Sequence, residues 1–250
     1  MEEPETRAAT GETATVTDRE PTRMKTTVRE LRFQASRSSG EVSAILILPK
    51  EARFLYVLGH GAGAGMTHPF MERAATGLAD RGIGTLRYQF PYMEAGGRRT
   101  DPPALAAATI RSAVSTAAQA APNLPLLAGG KSFGGRMTST AQSQEPLTAV
   151  AGLAFFGFPL HAAGRPDDSR AAHLSDVGIP MLFLQGTRDA LADLTLLRPV
   201  CTKLGQRATL HELEGADHGF HVPKRSGRTD DEVMDEALDT FAAWAGKLGV

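Results

Sequence analysis

Short apolar runs alternate with amphipathic stretches along most of the chain, and this alternation predicts an α/β protein. Near the start, residues 28–34 alternate, with Leu31 and Phe33 on one face, and a second run rich in Ile and Leu follows at 42–48. A Ser-Ser-Gly turn between the two runs predicts an antiparallel hairpin. Six further strands are predicted at residues 54–58, 83–88, 124–128, 150–156, 181–184 and 208–213.

Helical patterns separate the later strands. In the last of these patterns, Met234, Leu238 and Phe241 recur at helical spacing and define one apolar face. Apolar strands that alternate with helices are typical of a parallel sheet covered on both faces. We therefore predict a mostly parallel sheet of about eight strands with helices on both faces. The predicted helices span residues 69–81, 103–121, 190–204 and 230–248, and a further one ends near residue 143.

The N-terminal segment has a different composition from the rest of the chain. Residues 1–26 are rich in Thr, Glu, Ala and Pro and lack apolar periodicity, which predicts a disordered tail. Alternatively, the residues before Met24 are an upstream extension, and translation begins at Met24. Repeated acidic residues and the absence of an apolar run argue against a signal or transit peptide. Residues 27–250 are then expected to form a single domain.

Composition narrows the classes of partner and location. The chain has 250 residues and a formal net charge of −1, so it has no strong field for holding nucleic acid or an anionic membrane. Its one cysteine, Cys201, cannot form an intrachain disulfide, and no run is long and apolar enough to cross a bilayer. We expect a cytoplasmic protein that acts on a small molecule and binds neither nucleic acid nor membrane.

A G-x-S-x-G motif stands between a predicted strand and a predicted helix. It consists of Gly130-Lys131-Ser132-Phe133-Gly134, and this context is typical of a nucleophile elbow, which holds a serine hydroxyl clear of the sheet on a strained turn. A phosphate-binding loop is the alternative, because Gly-Lys-Ser ends its G-x-x-x-x-G-K-[ST] pattern. That pattern needs glycine where this chain has Pro125, so the elbow is favoured.

A serine nucleophile needs a base, and the base needs an orienting acid. In chains with such an elbow the order is Ser, then Asp or Glu, then His. Asp189 follows a predicted buried strand and His218 follows the last strand, so both lie at the sheet edge that carries Ser132. Asp217 is the competing acid, but it adjoins His218 on a tight turn and is expected to face elsewhere. We predict Ser132, Asp189 and His218 as the catalytic residues.

Other residues near this edge have candidate roles. A loop of small residues, 60–65, follows the third strand and can present backbone N–H groups to an oxyanion. The expected donors are the N–H of Phe133 and the N–H of Ala62 or Gly63. His60 and His68 flank this loop and can shape it, whereas His211 lies within a strand. The candidate substrate-binding residues are Phe90, Tyr92, Met93 and Phe158, for which plain core packing is the alternative.

The motifs together resemble a known group. The loops at 60–65, 90–92, 129–136 and 215–218 look like the small α/β-hydrolase family that is sometimes labelled dienelactone-hydrolase-like. That family includes the hydrolase-like domain of a nonspecific-lethal chromatin-complex subunit and a small testis-expressed protein. The resemblance covers about residues 28–248 and implies the α/β-hydrolase fold and the Ser132, Asp189, His218 triad. Dienelactone hydrolases themselves use a cysteine nucleophile, and serine stands at that position here.

These features predict a serine hydrolase that cleaves carboxylic esters or related acyl compounds through an acyl-enzyme. No metal or organic cofactor is implied. A catalytically silent interaction module with the same fold is the alternative, because fold alone does not determine chemistry. The link between residues 157 and 179 has no room for a large lid. We therefore expect an open or shallow site and a preference for short acyl chains.

Overall fold

A computed structural model describes residues 25–249. The predicted disordered tail and the alternative start at Met24 lie outside the described residues, except for Lys25 and Thr26 at the end of that tail. Thr26 is the first residue of a strand, one residue before the expected start of the domain.

The sheet has eight strands, as predicted. They are β1 (Thr26–Ser36), β2 (Ser39–Pro49), β3 (Phe54–Gly59), β4 (Ile83–Tyr88), β5 (Leu126–Lys131), β6 (Val150–Phe156), β7 (Met181–Gly186) and β8 (Ala208–Leu213). Their order across the sheet is β1-β2-β4-β3-β5-β6-β7-β8. The β1–β2 and β2–β4 pairs are antiparallel and the remaining five are parallel. The carboxyl ends of β3, β5, β7 and β8 therefore lie at one edge of the sheet.

Helices cover both faces of the sheet. The helices are α1 (Pro69–Ala79), α2 (Pro91–Glu94), α3 (Pro103–Ala120), α4 (Phe133–Gln144), α5 (Leu194–Leu204) and α6 (Asp230–Ala245). One apolar cluster contains buried residues of α3, α4 and α5, and a second contains buried residues of α1 and α6. Central strands such as β3 and β7 are buried at every position, as expected for parallel strands between two helical layers.

Two local features differ from the sequence prediction. Helix α5 begins at Leu194 rather than at residue 190, because the Asp193 side chain accepts a hydrogen bond from the N–H of Thr195 and caps the helix there. The short helix α2 was not predicted. Pro91 at its first position favours a helical start, but four residues are too few to show a period.

The link between β6 and β7 is short, as predicted. It contains one 3₁₀ helix, Ser169–Asp176, which packs against α4. No large lid is inserted at this point of the chain. Among residues 25–249, no helix is long and apolar enough to cross a membrane.

Candidate active site

Ser132 occupies a strained position between β5 and α4, as the elbow prediction requires. Its φ and ψ are 49° and −111°, in a region that residues with a side chain rarely adopt. Such strain costs about 1–3 kcal/mol and persists where the surrounding structure enforces it. The sharp turn presents the Ser132 side chain at the carboxyl edge of the sheet.

Close backbone approach explains the glycines of the motif. A β-carbon at Gly130 would lie 2.1 Å from the carbonyl oxygen of Gly59, and one at Gly134 would lie 2.4 Å from the same atom. Both distances are far below van der Waals contact. The small residues on either side of Ser132 therefore allow β5 and α4 to approach β3 closely.

Asp189 and His218 form a hydrogen-bonded pair. The distance from Nδ1 of His218 to Oδ2 of Asp189 is 2.7 Å. The Asp189 side chain is fully buried, whereas about a quarter (26%) of the His218 side chain is exposed. With Nδ1–H donating to the carboxylate, Nε2 of the neutral ring is left free to accept a proton.

Two further donors fix the Asp189 carboxylate. Nε2 of Gln185 donates to Oδ2 at 2.6 Å, and the N–H of Leu191 donates to Oδ1 at 2.7 Å. Gln185 is itself fully buried in β7, and its Oε1 accepts the N–H of Phe158 at 2.9 Å. Gln185 is not among the residues predicted from the sequence. A polar residue within an otherwise apolar strand is the signal that could have found it.

Asp217 faces its own turn rather than the ring of His218. Its Oδ1 accepts the N–H groups of Gly219 at 2.7 Å and His221 at 3.0 Å. This geometry agrees with the expectation that Asp217 points elsewhere.

Ser132 and His218 line the same cavity, which has a volume of about 470 Å³. Within the described part of the chain, no hydrogen bond joins their side chains. Hydrogen bonds between a nucleophile and its base are often longer in the absence of substrate. The structure therefore brings the predicted base and nucleophile to one cavity.

The loop after β3 leaves one of its two alternative oxyanion donors without an acceptor among the described residues. Ala62 lines the cavity, and neither its N–H nor that of Phe133 has an acceptor among the described residues. The N–H of Gly63 donates instead to the hydroxyl oxygen of Tyr92 at 3.3 Å. Of the two predicted alternatives in this loop, Gly63 is thus already bonded, and Ala62 is the better candidate.

His60 ties this loop to the segment after β4. It is fully buried, its Nδ1–H donates to the carbonyl of Gly61 at 2.8 Å, and its Nε2 accepts the N–H of Phe90 at 3.1 Å. Burial lowers the pKa of His60 to about 4. The ring is therefore neutral at ordinary pH, as this pair of hydrogen bonds requires.

The depressed pKa of His60 predicts a loss of stability in acid. An unfolded histidine takes up a proton near pH 6.5 and the folded one only near pH 4, so the unfolded state gains protons first as the pH falls. The stabilising contribution of neutral His60 is fully present above about pH 6.5. The free energy of unfolding should be lower by on the order of 3 kcal/mol at pH 4. Urea unfolding across this range should show that fall, and His60→Gln should remove much of it.

His68→Gln is the matched control, because His68 is exposed at the start of α1. This variant should keep the wild-type acid dependence. If the free energy of unfolding of His60→Gln depends on pH as steeply as that of the wild type, the role given to His60 is contradicted.

The cavity has largely apolar walls. Its residues come from the loop after β3, the start of α1, the elbow, the loop after β8 and the start of α6. The apolar side chains include Phe70, Met71, Phe220 and Met234. A volume of 470 Å³ is within the usual range for small-molecule sites. This volume and these walls do not favour the shallow site expected from the sequence, because α1 and α6 add walls that the strand and lid pattern could not show.

The four candidate substrate-binding residues lie elsewhere. Phe90 and Phe158 are fully buried in the core, and Tyr92 is 7% exposed and bonded to Gly63. Met93 packs partly buried against the same core cluster. None of the four lines the cavity. This placement favours core packing, the alternative to substrate contact: Phe90 packs against Tyr88 and Phe133, and Phe158 packs against Phe155.

The described residues contain no cluster of three or more His, Cys, Asp or Glu side chains placed to hold a metal ion.

Comparison with known proteins agrees with the fold. Residues 52–246 match a family model described as "Alpha/beta hydrolase domain". That segment contains the elbow, Asp189, His218 and the loop after β3.

Solved structures share the fold at low identity. A serine hydrolase without a lid from Xanthomonas campestris is 21% identical with a TM-score of 0.66, over 88% of this chain and 94% of that chain. A dienelactone hydrolase from Anabaena variabilis is 20% identical with a TM-score of 0.65, over 85% and 96%. A cold-adapted esterase from an Arctic intertidal metagenomic library is 19% identical with a TM-score of 0.63, over 91% and 97%.

Proposed function

The chain belongs to the α/β-hydrolase domain family, and from this premise we propose that it is a serine hydrolase acting on carboxylic esters or related acyl compounds. Ser132 is the nucleophile, His218 the general base and acid, and Asp189 the residue that orients His218. The observation that carries this proposal is the 2.7 Å Asp189–His218 pair, whose histidine lines the same cavity as the strained Ser132.

The proposed reaction has two steps. Nε2 of His218 takes the Ser132 hydroxyl proton as Oγ attacks the ester carbonyl, and the tetrahedral oxyanion accepts hydrogen bonds from the N–H groups of Phe133 and Ala62. The intermediate collapses, the alcohol leaves with the proton from His218, and an acyl-serine forms. Water then attacks this ester with His218 as base, releasing the carboxylic acid and regenerating Ser132.

The interaction-module alternative is less well supported. Three donors hold the buried Asp189 carboxylate, and Ser132 retains about 1–3 kcal/mol of backbone strain. A silent scaffold has no need of either feature. This favours a catalytic site over a module that only keeps the fold.

A reducing compartment such as the cytoplasm fits the single cysteine. Cys201 is buried in α5, and burial raises the pKa of its thiol to about 11. The thiol is therefore protonated and poorly reactive at neutral pH.

In contrast to the short-chain preference expected from the sequence, the apolar cavity predicts a preference for acyl chains longer than acetate. Each methylene buried there contributes about 0.8 kcal/mol, which is about a fourfold gain in kcat/KM per methylene at most. A series of p-nitrophenyl esters should show kcat/KM rising from acetate to about hexanoate. A steady fall from acetate onward would contradict the cavity as the acyl site, and no hydrolysis of any ester would contradict the proposed function.

A larger side chain in the cavity wall should shift that preference. Met234 lies on α6, is 3% exposed and lines the cavity, so Met234→Trp reduces the space available to an acyl chain. The variant should lose activity on hexanoate and keep most of its activity on acetate, which is the internal control. An equal loss on both esters would indicate a general disturbance of folding instead.

A further inference from the structure

Lys131 lies at the centre of the candidate site, although the proposed reaction gives it no task. It is the last residue of β5, directly before Ser132, and its side chain lines the cavity. In the sequence, Lys131 is the middle residue of the Gly-Lys-Ser match to a phosphate-binding loop.

The ammonium group of Lys131 contacts the loop that carries His218. We call residues 214–222, which follow β8, the His218 loop. Nζ donates a hydrogen bond to the backbone carbonyl of His218 itself. It also lies 5.1 Å from the ring centroids of Phe70 and Phe220, one from α1 and one from the His218 loop. The carbonyl and the two ring faces surround the charge, which is the arrangement of a cation–π contact.

The packing around this group leaves little freedom. A β-carbon at Gly157 would lie 2.8 Å from Nζ of Lys131 and 3.3 Å from Nδ1 of His218. The two nitrogen atoms are therefore no more than about 6 Å apart. No carboxylate of the described residues forms an ion pair with Lys131, so its partners are the His218 loop and the two aromatic rings.

Resting on the proposed function, we propose that Lys131 is a positioning residue whose charged ammonium holds the His218 loop and so keeps His218 aligned between Asp189 and Ser132. A hydrogen bond from a charged donor to a carbonyl oxygen is about twice as strong as one from a neutral donor. Two aromatic contacts of the same cation add to it.

The Lys131 ammonium loses its charge as the pH rises through about 8. Burial lowers the pKa of Lys131 to about 8, against the opposing attraction of Asp189 and Asp217. The other titratable groups of this cavity are His218 and His221 from the His218 loop, Asp230 from α6, Arg73 from α1, and His68 directly before α1. His221 pairs with Asp230 at 2.6 Å, so that histidine already has a carboxylate partner.

Removal of the charge should misalign His218. In Lys131→Met, kcat/KM should fall by about 10- to 100-fold, the range expected when a catalytic group shifts by up to about 1 Å. Above pH 8 the wild type should also lose activity as Lys131 loses its proton, and Lys131→Met should lack this alkaline decline. Lys131→Arg keeps a charge at all working pH values, so any activity it retains should also lack the decline.

Lys224→Met is the matched control, because Lys224 is exposed directly after the His218 loop. It should keep the wild-type kcat/KM and the alkaline decline. A wild-type pH profile and wild-type kcat/KM in Lys131→Met would overturn the proposal.

Hydrogen exchange at pH 7 separates this proposal from the proposed function. Amides of residues 214–222 should exchange faster in Lys131→Met than in the wild type, with the central strands unchanged. Faster exchange in a protein that hydrolyses no ester would support the loop contact and reject the proposed function. Unchanged exchange would overturn the positioning role, whether or not the wild type is active.

Discussion

Replacement of Ser132 by alanine should lower kcat for ester hydrolysis by about 10⁶-fold. The hydroxyl is the only group that the proposed reaction uses to form a bond with substrate. Without it, the residual rate comes from the oxyanion donors and from substrate binding alone, about 10³–10⁴ above the rate in water. Steady-state kinetics on p-nitrophenyl hexanoate give the comparison, because this ester fits the apolar cavity.

Ser143→Ala controls for the loss of a serine hydroxyl from the same region. Ser143 lies on α4, and its Oγ donates to the carbonyl of Thr140 within that helix. This variant should retain wild-type kcat and KM. If Ser132→Ala keeps more than about a hundredth of the wild-type kcat, another nucleophile performs the reaction.

Replacement of Asp189 by asparagine should lower kcat by about 10²–10⁴-fold. Both oxygens of the carboxylate accept hydrogen bonds, Oδ1 from Leu191 and Oδ2 from Gln185 and His218. Asparagine must turn its NH₂ group toward one of these donors. If that group faces His218, the ring is held in the tautomer that cannot accept the serine proton.

Asp217→Asn is the control for this variant, since Asp217 is the acid nearest to His218 in the sequence. Its Oδ1 accepts two backbone N–H groups of its own turn, so the amide can keep the turn through its oxygen. We expect nearly normal kcat. If Asp217→Asn loses most of its kcat and Asp189→Asn keeps nearly all of it, the acid has been assigned to the wrong residue.

Much of the fold was predictable because its signals are local. Apolar runs separated by helical periods indicate parallel strands between helices, and all eight strands are confirmed. Gly130 and Gly134, two residues before and after Ser132, allow β5 and α4 to approach the backbone of Gly59 closely. The strained backbone of Ser132 follows from the same G-x-S-x-G spacing.

The cavity and its walls could not be predicted in the same way. They depend on how α1 and α6 pack across the sheet edge, which is a long-range property of the chain. Phe90 and Phe158, which follow β4 and β6, turn inward and pack against other rings, whereas Phe70 from α1 and Phe220 from the His218 loop reach the cavity. Lys131 gained its contacts with the His218 loop by the same long-range packing.

Covalent labelling of Ser132 tests the central claim most directly. A fluorophosphonate reacts with a serine hydroxyl that a neighbouring base has activated, and it needs no knowledge of the natural substrate. The wild type should gain the mass of one phosphonyl group, located by peptide mapping on Ser132, and Ser132→Ala should remain unlabelled. Equal labelling of Ser132→Ala, or a wild type that stays unmodified, would contradict the account.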